Sequence, residues 1–157
     1  MNDSGPSQRA RAAALRFLAY RPRSEAEVRA RLRRRFPAPL VEQVITNLRE
    51  QALVDDAKFA RLWSDSRDSS KPRSAWAIKR ELRAKGIDSD VAEEAVQEID
   101  DEAAAYRAAG SLAHRVHGNG ISAFRRKLWG LLKRRGFSDS VARRVTNRLW
   151  DDISTES

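Results

Sequence analysis

Two pairs of residues in the sequence have side chains that could bind a metal ion or take part in catalysis. Asp55 and Asp56 are adjacent, and His114 and His117 are three residues apart, so that a helix would place both imidazoles on one face. A metal site needs more converging ligands, and the chain has no cysteine and only these two histidines. Helix capping by Asp55, with Asp56 in the positive first turn, explains the aspartates better. The sequence therefore predicts no metal, no cofactor and no catalytic residue.

No other group of residues indicates an enzyme. Ser24 and Glu27 have the spacing of a helix-capping box, which satisfies backbone N–H groups at a helix start. The sequence contains no glycine-rich phosphate loop and no recognisable pair of nucleophile and base. We therefore expect a protein that is not an enzyme and acts by binding another macromolecule.

The charge of the chain points to a polyanionic partner. The net charge is +9, distributed as about +6 over residues 1–50, −2 over residues 51–100 and +5 over residues 101–157. Two basic ends around a near-neutral middle favour an elongated molecule with surfaces that face a polyanion. The alternative is a solvated, arginine-rich surface. No apolar run reaches the roughly 18 residues of a membrane span, and residues 1–9 lack the apolar core of a secretory signal, so we expect a cytoplasmic protein with no membrane contact.

An internal repeat of 50 residues sets the predicted architecture, because residues 28–32, 78–82 and 128–132 align. A helix with apolar residues four apart follows each segment: Phe36, Leu40, Val44 and Leu48; Ile87, Val91, Ala95 and Ile99; Phe137, Val141, Val145 and Leu149. With one further helix before each segment, the pattern predicts nine helices over 8–20, 24–35, 39–51, 55–68, 74–85, 89–99, 100–115, 121–135 and 139–151. We expect an elongated all-α fold of three stacked three-helix repeats, covering 7–52, 53–99 and 100–151.

The short turn within each repeat differs in the first copy. Gly86 and Gly136 suit a left-handed helix end, and Asp88 and Ser138 would cap the following helices. The first copy has Phe36-Pro37 at this place and lacks the glycine. Each repeat alone has a small core, so we expect packing between neighbouring repeats to supply stability.

Several segments together are similar to one known family. They are residues 14–25, 28–32, 52–60, 81–87 and 133–137, with Arg67 seven residues after Ala60. From about residue 10 to 150 the chain resembles the RecX family of RecA recombinase regulators. The family motif maps, mainly with structural roles, onto Leu53, Asp55, Asp56, Phe59, Ala60, Arg67, Gly86 and Gly136. The sequence departs at Ala52, where the family usually has glycine, and at the missing glycine beside Phe36.

The resemblance implies a function and a partner. A member of this family is expected to bind RecA and its filament on single-stranded DNA, and mainly to inhibit the recombinase, ATPase and co-protease activities of RecA in recombination, DNA repair and the SOS response. We expect a monomer with at most weak direct binding to DNA. The alternative is a direct DNA-binding protein of helix-turn-helix type, because the second and third helix of each repeat form a short pair joined by a tight turn.

The basic positions recur with the repeat and are the predicted contacts to the partner or to DNA. Arg33, Arg83 and Lys133 are equivalent and face outward, about 140° from the apolar stripe. The predicted contact residues are Arg29, Arg33, Arg35, Lys79, Arg83, Lys85, Arg126, Lys133, Arg134 and Arg135. The alternative is that outward positions are simply charged, and position 35 could also pack its stem. Trp63, Trp76, Trp129 and Trp150 could stack on bases, although packing is the more common role; Trp129 is the expected exposed one.

Overall fold

The computed structural model describes residues 5–157, and these form nine α-helices and one short 3₁₀ turn without a strand. The first repeat contains α1 (Pro6–Tyr20), α2 (Glu25–Arg33) and α3 (Ala38–Glu50). The second contains α4 (Asp56–Ser69), α5 (Ala75–Ala84) and α6 (Ser89–Val96). The third contains α7 (Asp101–Val116), the 3₁₀ turn His117–Asn119, α8 (Ile121–Arg134) and α9 (Asp139–Glu156). The predicted all-α fold of three tandem three-helix repeats is confirmed.

Each repeat encloses a hydrophobic core of its own. The cores of the first, second and third repeats have nine, seven and thirteen buried apolar residues. Ile45, Ile78 and Phe124 are fully buried at their centres. Helix packing is therefore mainly internal to each repeat, and the expectation that packing between neighbouring repeats supplies stability stays a prediction.

Two helices, α6 and α9, end at residues other than those predicted. Helix α6 ends at Val96, three residues early, because Asp100 caps α7 by accepting from the backbone N–H groups of Glu102 and Ala103. Helix α9 continues to Glu156, well past the predicted end at 151. The extension is stabilised by Ile153, which is buried in the third core, and by Asp152, which accepts a 2.7 Å hydrogen bond from the Tyr106 hydroxyl.

Helix caps and turns explain why the chain breaks where it does. Ser24 and Glu27 form the predicted capping box, and the Asp55 carboxylate accepts from the Lys58 N–H. Ser138 caps α9, whereas Asp88 makes no side-chain cap at the start of α6, contrary to expectation. These local interactions set the helix starts.

The turns after α5 and α8 have the same geometry. Gly86 and Gly136 adopt φ values of +83° and +88°, which favour glycine. Arg83 and Lys133 each donate a 2.9 Å hydrogen bond to the carbonyl one residue past the glycine, on Ile87 and Phe137. Two of the three outward cations therefore also stabilise these turns.

Polar contacts connect the first repeat to the second. The Ser24 hydroxyl donates to the Lys85 carbonyl (2.7 Å), and the Glu25 N–H donates to the Asp56 carboxylate (2.8 Å). Burial raises the pKa of Asp56, and the hydrogen bond from the Glu25 backbone opposes that rise. Gly86 lies so close to Ala26 that a β-carbon on Gly86 would be 2.3 Å from the Ala26 Cβ. The first turn of α2 is therefore fitted to the glycine turn of the next repeat.

The same junction recurs between the second and third repeats. The Ser74 N–H donates to the Arg135 carbonyl (3.0 Å), and the Ala75 N–H donates to the Asp101 carboxylate (2.9 Å). A β-carbon on Gly136 would lie 2.6 Å from the Ala77 Cβ. Neighbouring repeats thus meet through a repeated polar contact with a glycine at its centre.

This arrangement accounts for the turn that lacks glycine. Among the described residues, the turn at 34–37 makes no hydrogen bond or ion pair to another repeat. No close approach of a neighbouring repeat has to be accommodated, and Phe36 can occupy the turn.

The three repeats follow one another in a row and have a solvent-accessible area of 9736 Å², against about 8,000 Å² for a compact protein of this mass. The excess is consistent with the elongated shape predicted from the sequence.

Replacing Ala52 with glycine should stabilise the protein. Ala52 follows α3 with φ of +57°, and the Leu53 N–H donates to the Leu48 carbonyl, as in a helix end built for glycine. The left-handed conformation costs a residue with a β-carbon about 1–2 kcal/mol, and the greater freedom of unfolded glycine offsets part of the gain. We expect Ala52→Gly to raise the free energy of unfolding by about 0.5 kcal/mol, measured by urea denaturation. A loss of stability would contradict this reading of the turn.

Candidate binding surface

The three equivalent outward cations occupy the same place in successive repeats, each in the last turn of its helix. Arg33 is about half exposed and lies 3.4 Å from Glu42. Arg83 bonds to the turn as described, and Lys133 combines its carbonyl contact with a 2.7 Å ion pair to Asp139. All three keep exposed surface, so they can face a partner while they hold local contacts.

The neighbouring series, Arg29 and Lys79, is neutralised by glutamates on the following helix. The Arg29 guanidinium is 2.6 Å from Glu42, and the Lys79 ammonium is 2.6 Å from Glu93. The hydrogen bond from Arg29 holds the pKa of Glu42 below its usual range. The sequence identified these cations but not their partners. The signal was present, because Glu42 and Glu93 are equivalent positions when the third helices of the two repeats are aligned.

The third series, Arg35, Lys85 and Arg135, lies at the repeat junctions. The Lys85 ammonium lies 3.9 Å from the Glu27 carboxylate of the first repeat, and Arg135 donates a 3.2 Å hydrogen bond to the Pro72 carbonyl of the second. Burial lowers the pKa of Arg135, helped by the nearby charges of Arg73 and Arg134. Arg35 has no junction to enter and remains exposed. This series therefore contributes to contacts between repeats more than to an open surface.

Helix α8 carries the least neutralised charge. It contains five basic residues and no acidic one: Arg125, Arg126, Lys127, Lys133 and Arg134. Of these only Lys133 forms an ion pair with another residue in 5–157. The equivalent helices α2 and α5 contain glutamates. Among the three second helices, α8 is thus the one whose positive charge is not balanced by acidic residues of its own.

The tryptophans divide into packed and exposed residues. Trp63 stacks on Phe59 with 6.0 Å between ring centroids, and Trp150 packs against Phe124 at 5.0 Å. Trp129 is 38% exposed, as expected, but Trp76 is more exposed at 59%. Two tryptophan side chains are therefore exposed, each with a cation over its ring: Arg80 at 4.8 Å from the centre of Trp76 and Lys133 at 5.7 Å from that of Trp129.

The residues of the family motif lie mostly in structural positions around α4. Phe59 and Ala60 are buried in the second core, and Asp55 and Asp56 cap helices as described. Arg67 forms a 2.8 Å ion pair with Glu81 and lies over the Trp63 ring. Leu53 is exposed, and Gly86 and Gly136 form the turns.

The histidines take part in local contacts on the third repeat. His117 bonds to the Ser154 hydroxyl at 3.0 Å and stacks against Trp150, while His114 bonds to the Gly110 carbonyl. No cluster of three or more potential metal ligands occurs within residues 5–157. In the same part of the chain, every helix is too short or too polar to cross a membrane.

Comparison with known proteins assigns the fold to a family. Residues 10–48 match the family model described as RecX, first three-helix domain, and residues 55–96 match RecX, second three-helix domain. The regulatory protein RecX of Streptomyces coelicolor is 31% identical over 94% of this chain and 80% of its own length. The chain belongs to the RecX family.

Other relatives and solved structures extend over the same length. The RecX protein of Thermobifida fusca is 36% identical over 87% of this chain and 76% of its own length. The crystal structure of RecX from Lactobacillus salivarius superposes with a TM-score of 0.80, covering 91% of this chain and 96% of that chain at 24% identity. The relatives in the RecX family are named regulatory proteins, and the fold is shared along the chain.

Proposed function

We propose that this chain binds RecA and RecA–DNA filaments and modulates, mainly inhibits, recombinase, ATPase and co-protease activity in recombination, DNA repair and the SOS response. The observation that carries the proposal is membership of a regulatory family over nearly the whole chain. The elongated row of repeats, with cations at equivalent places, is suited to lie along a helical filament with DNA at its centre. In this proposal the protein is a cytoplasmic monomer without enzymatic activity.

Co-sedimentation with RecA filaments tests the proposal. Filaments would be assembled with and without single-stranded DNA and nucleotide, and ATP hydrolysis would be followed in the same samples. We expect the chain to pellet with nucleotide-bound filaments on DNA and to slow hydrolysis. Absence of the chain from all filament pellets would contradict the proposal.

A second candidate function is direct DNA binding of helix-turn-helix type, favoured by the excess positive charge of α8. The helix pairs α2–α3, α5–α6 and α8–α9 are joined by short turns, as in that motif. Affinities for naked and RecA-coated DNA at about 150 mM salt separate the two functions, because weak phosphate-only contacts fade there. Comparable affinities would favour direct DNA binding.

Removing the three equivalent cations should weaken binding by the proposed surface. The variant combines Arg33→Gln, Arg83→Gln and Lys133→Gln, and we expect filament binding and inhibition to fall progressively as the changes are combined. For binding to single-stranded DNA, each lost phosphate contact should reduce the slope of the logarithm of the binding constant against the logarithm of salt concentration by about 0.7. Because Arg83 and Lys133 also bond to turn carbonyls, a loss of about 0.5–1.5 kcal/mol in stability for each is expected and is measured first by thermal melting.

A control variant removes the same charge elsewhere. Arg16, Lys58 and Arg115 are exposed, one in each repeat, and their side chains form no hydrogen bond or ion pair with the described residues. Their triple glutamine variant should keep most of the inhibition. If both triple variants lose binding equally, net charge and not the proposed surface is responsible.

A further inference from the structure

One groove of the third repeat differs from its counterparts in the first two. In those repeats, a cation on the second helix pairs with a glutamate on the third: Arg29 with Glu42, and Lys79 with Glu93. The repeat alignment places Trp129 and Arg143 at these two positions in the third repeat. In the third repeat an aromatic ring thus replaces the cation of the pair, and a positive charge replaces its glutamate.

The groove between α8 and α9 has the groups that bind a nucleotide. It has a volume of about 380 Å³ and is lined by Arg125, Trp129, Arg143, Thr146 and Asn147. Trp129 keeps 38% of its surface exposed, which leaves ring area for stacking. Neither Arg125 nor Arg143 forms a hydrogen bond or ion pair with any residue in 5–157, so both guanidinium groups can neutralise phosphates.

A buried hydroxyl supplies an independent indication of a ligand. Thr146 is 5% exposed, and its side-chain oxygen has no hydrogen-bond partner among the described residues. Buried polar groups are normally paired, because leaving one unpaired is costly. In the equivalent groove of the second repeat the position is apolar Val96. The hydroxyl and the Asn147 amide could bond to polar base edges or to phosphate oxygens.

We propose that this groove binds single-stranded DNA, with a base stacked on Trp129 and the flanking phosphates held by Arg125 and Arg143. The ring favours an unstacked base, which duplex DNA does not offer, and the two guanidinium groups favour the strand over an apolar peptide. This proposal deepens the direct DNA-binding function and is independent of contact with RecA, because DNA alone is the ligand.

Fluorescence anisotropy with labelled oligothymidylate tests the groove, with an abasic strand of equal length and a duplex as competitors. The abasic strand keeps the phosphates and lacks the bases. We expect the parent to bind oligothymidylate about five- to 150-fold more tightly than the abasic strand, the range for stacking one base. Trp129→Ala should abolish this preference. Equal affinity of the parent for both strands, or tighter binding to duplex, would overturn the proposal.

The second repeat supplies the sharpest variant. Trp129→Lys combined with Arg143→Glu recreates the Lys79–Glu93 pair, so it should fold and melt like the parent while losing the base preference. Arg115→Gln makes the same net change of −1 at an exposed residue of α7, outside the groove and off α8, and should bind like the parent. Trp76→Ala removes the other exposed tryptophan and should also bind like the parent.

Two results would overturn the assignment to this groove. One is parental base preference in the Trp129→Lys, Arg143→Glu variant. The other is an equal loss in Trp76→Ala. Co-sedimentation of the same variants with RecA filaments is read separately, so failure of the DNA site and failure of RecA binding are distinguishable. Parental filament pelleting by a variant that has lost base preference supports a DNA site separate from the filament contact.

Discussion

Gly86→Ala should destabilise the protein by about 2–4 kcal/mol. Two costs combine at this residue. The φ of +83° disfavours any residue with a β-carbon, at about 1–2 kcal/mol. The new methyl would also lie 2.3 Å from the Ala26 Cβ, so the first and second repeats must move apart. The result would be lower stability and weaker coupling between the two repeats, measured by urea denaturation and hydrogen exchange.

A double-mutant cycle separates the two costs. Ala26→Gly removes the clashing β-carbon and leaves the backbone strain of Gly86→Ala in place. We expect Ala26→Gly to recover about 1–2 kcal/mol in the Gly86→Ala background, although it weakens α2 when made alone. Strictly additive effects would show that the two methyl groups do not meet.

Gly110→Ala is the matched control for this prediction. Gly110 lies within α7, and a β-carbon added there would meet no atom within 4 Å apart from the adjoining backbone of its own helix. Alanine is the better helix former, so this substitution should stabilise the protein by about 0.5–1 kcal/mol. The two glycine substitutions should therefore act in opposite directions.

The helices were predictable from the sequence because their physical causes are local. Apolar residues four apart give one buried face, and Ser24 and Asp55 cap helices with groups a few residues away. The end of α9 was missed because Ile153 is held by a core that forms across the whole third repeat. The same limit applies to α6, whose end depends on the cap of the next helix.

The contacts between repeats could not be predicted from one sequence. The Asp56 carboxylate bonds to the Glu25 N–H, 31 residues away, so the second aspartate of the pair caps a helix of the preceding repeat. The sequence suggested only the local role in the first turn of α4. Gly86 was predicted from its turn, but its closeness to Ala26 follows from the docking of whole repeats.

The sequence predicted where the equivalent cations lie in each repeat, but not which cations are neutralised by acidic neighbours. Repetition placed Arg33, Arg83 and Lys133 at equivalent sites, and their role in binding stays a prediction. Glu42 and Glu93 neutralise the adjacent cations, which requires knowledge of how the second and third helices face each other. The unpaired charge of α8 emerges only after these pairs are accounted for.

Phe59→Ala should be the most damaging single substitution in the second repeat. Phe59 is 5% exposed and stacks on Trp63, over which the cations of Arg67 and Lys85 lie. Truncating a buried phenylalanine costs about 3–5 kcal/mol. The second repeat has the smallest of the three cores and forms both junctions, so its unfolding would also disconnect the other two. We expect a large fall in melting temperature, followed by far-UV circular dichroism.

Phe59→Leu separates a folding role from a contact role. Leucine retains most of the apolar volume without the ring, so the loss of stability should fall to about 1.5 kcal/mol or less. Binding to RecA filaments, measured well below each melting temperature, should then be parental in Phe59→Leu and reduced in Phe59→Ala only in proportion to its unfolded fraction. A Phe59→Ala variant that melts like the parent but no longer binds would instead make Phe59 a contact residue, because its effect could not pass through the second core.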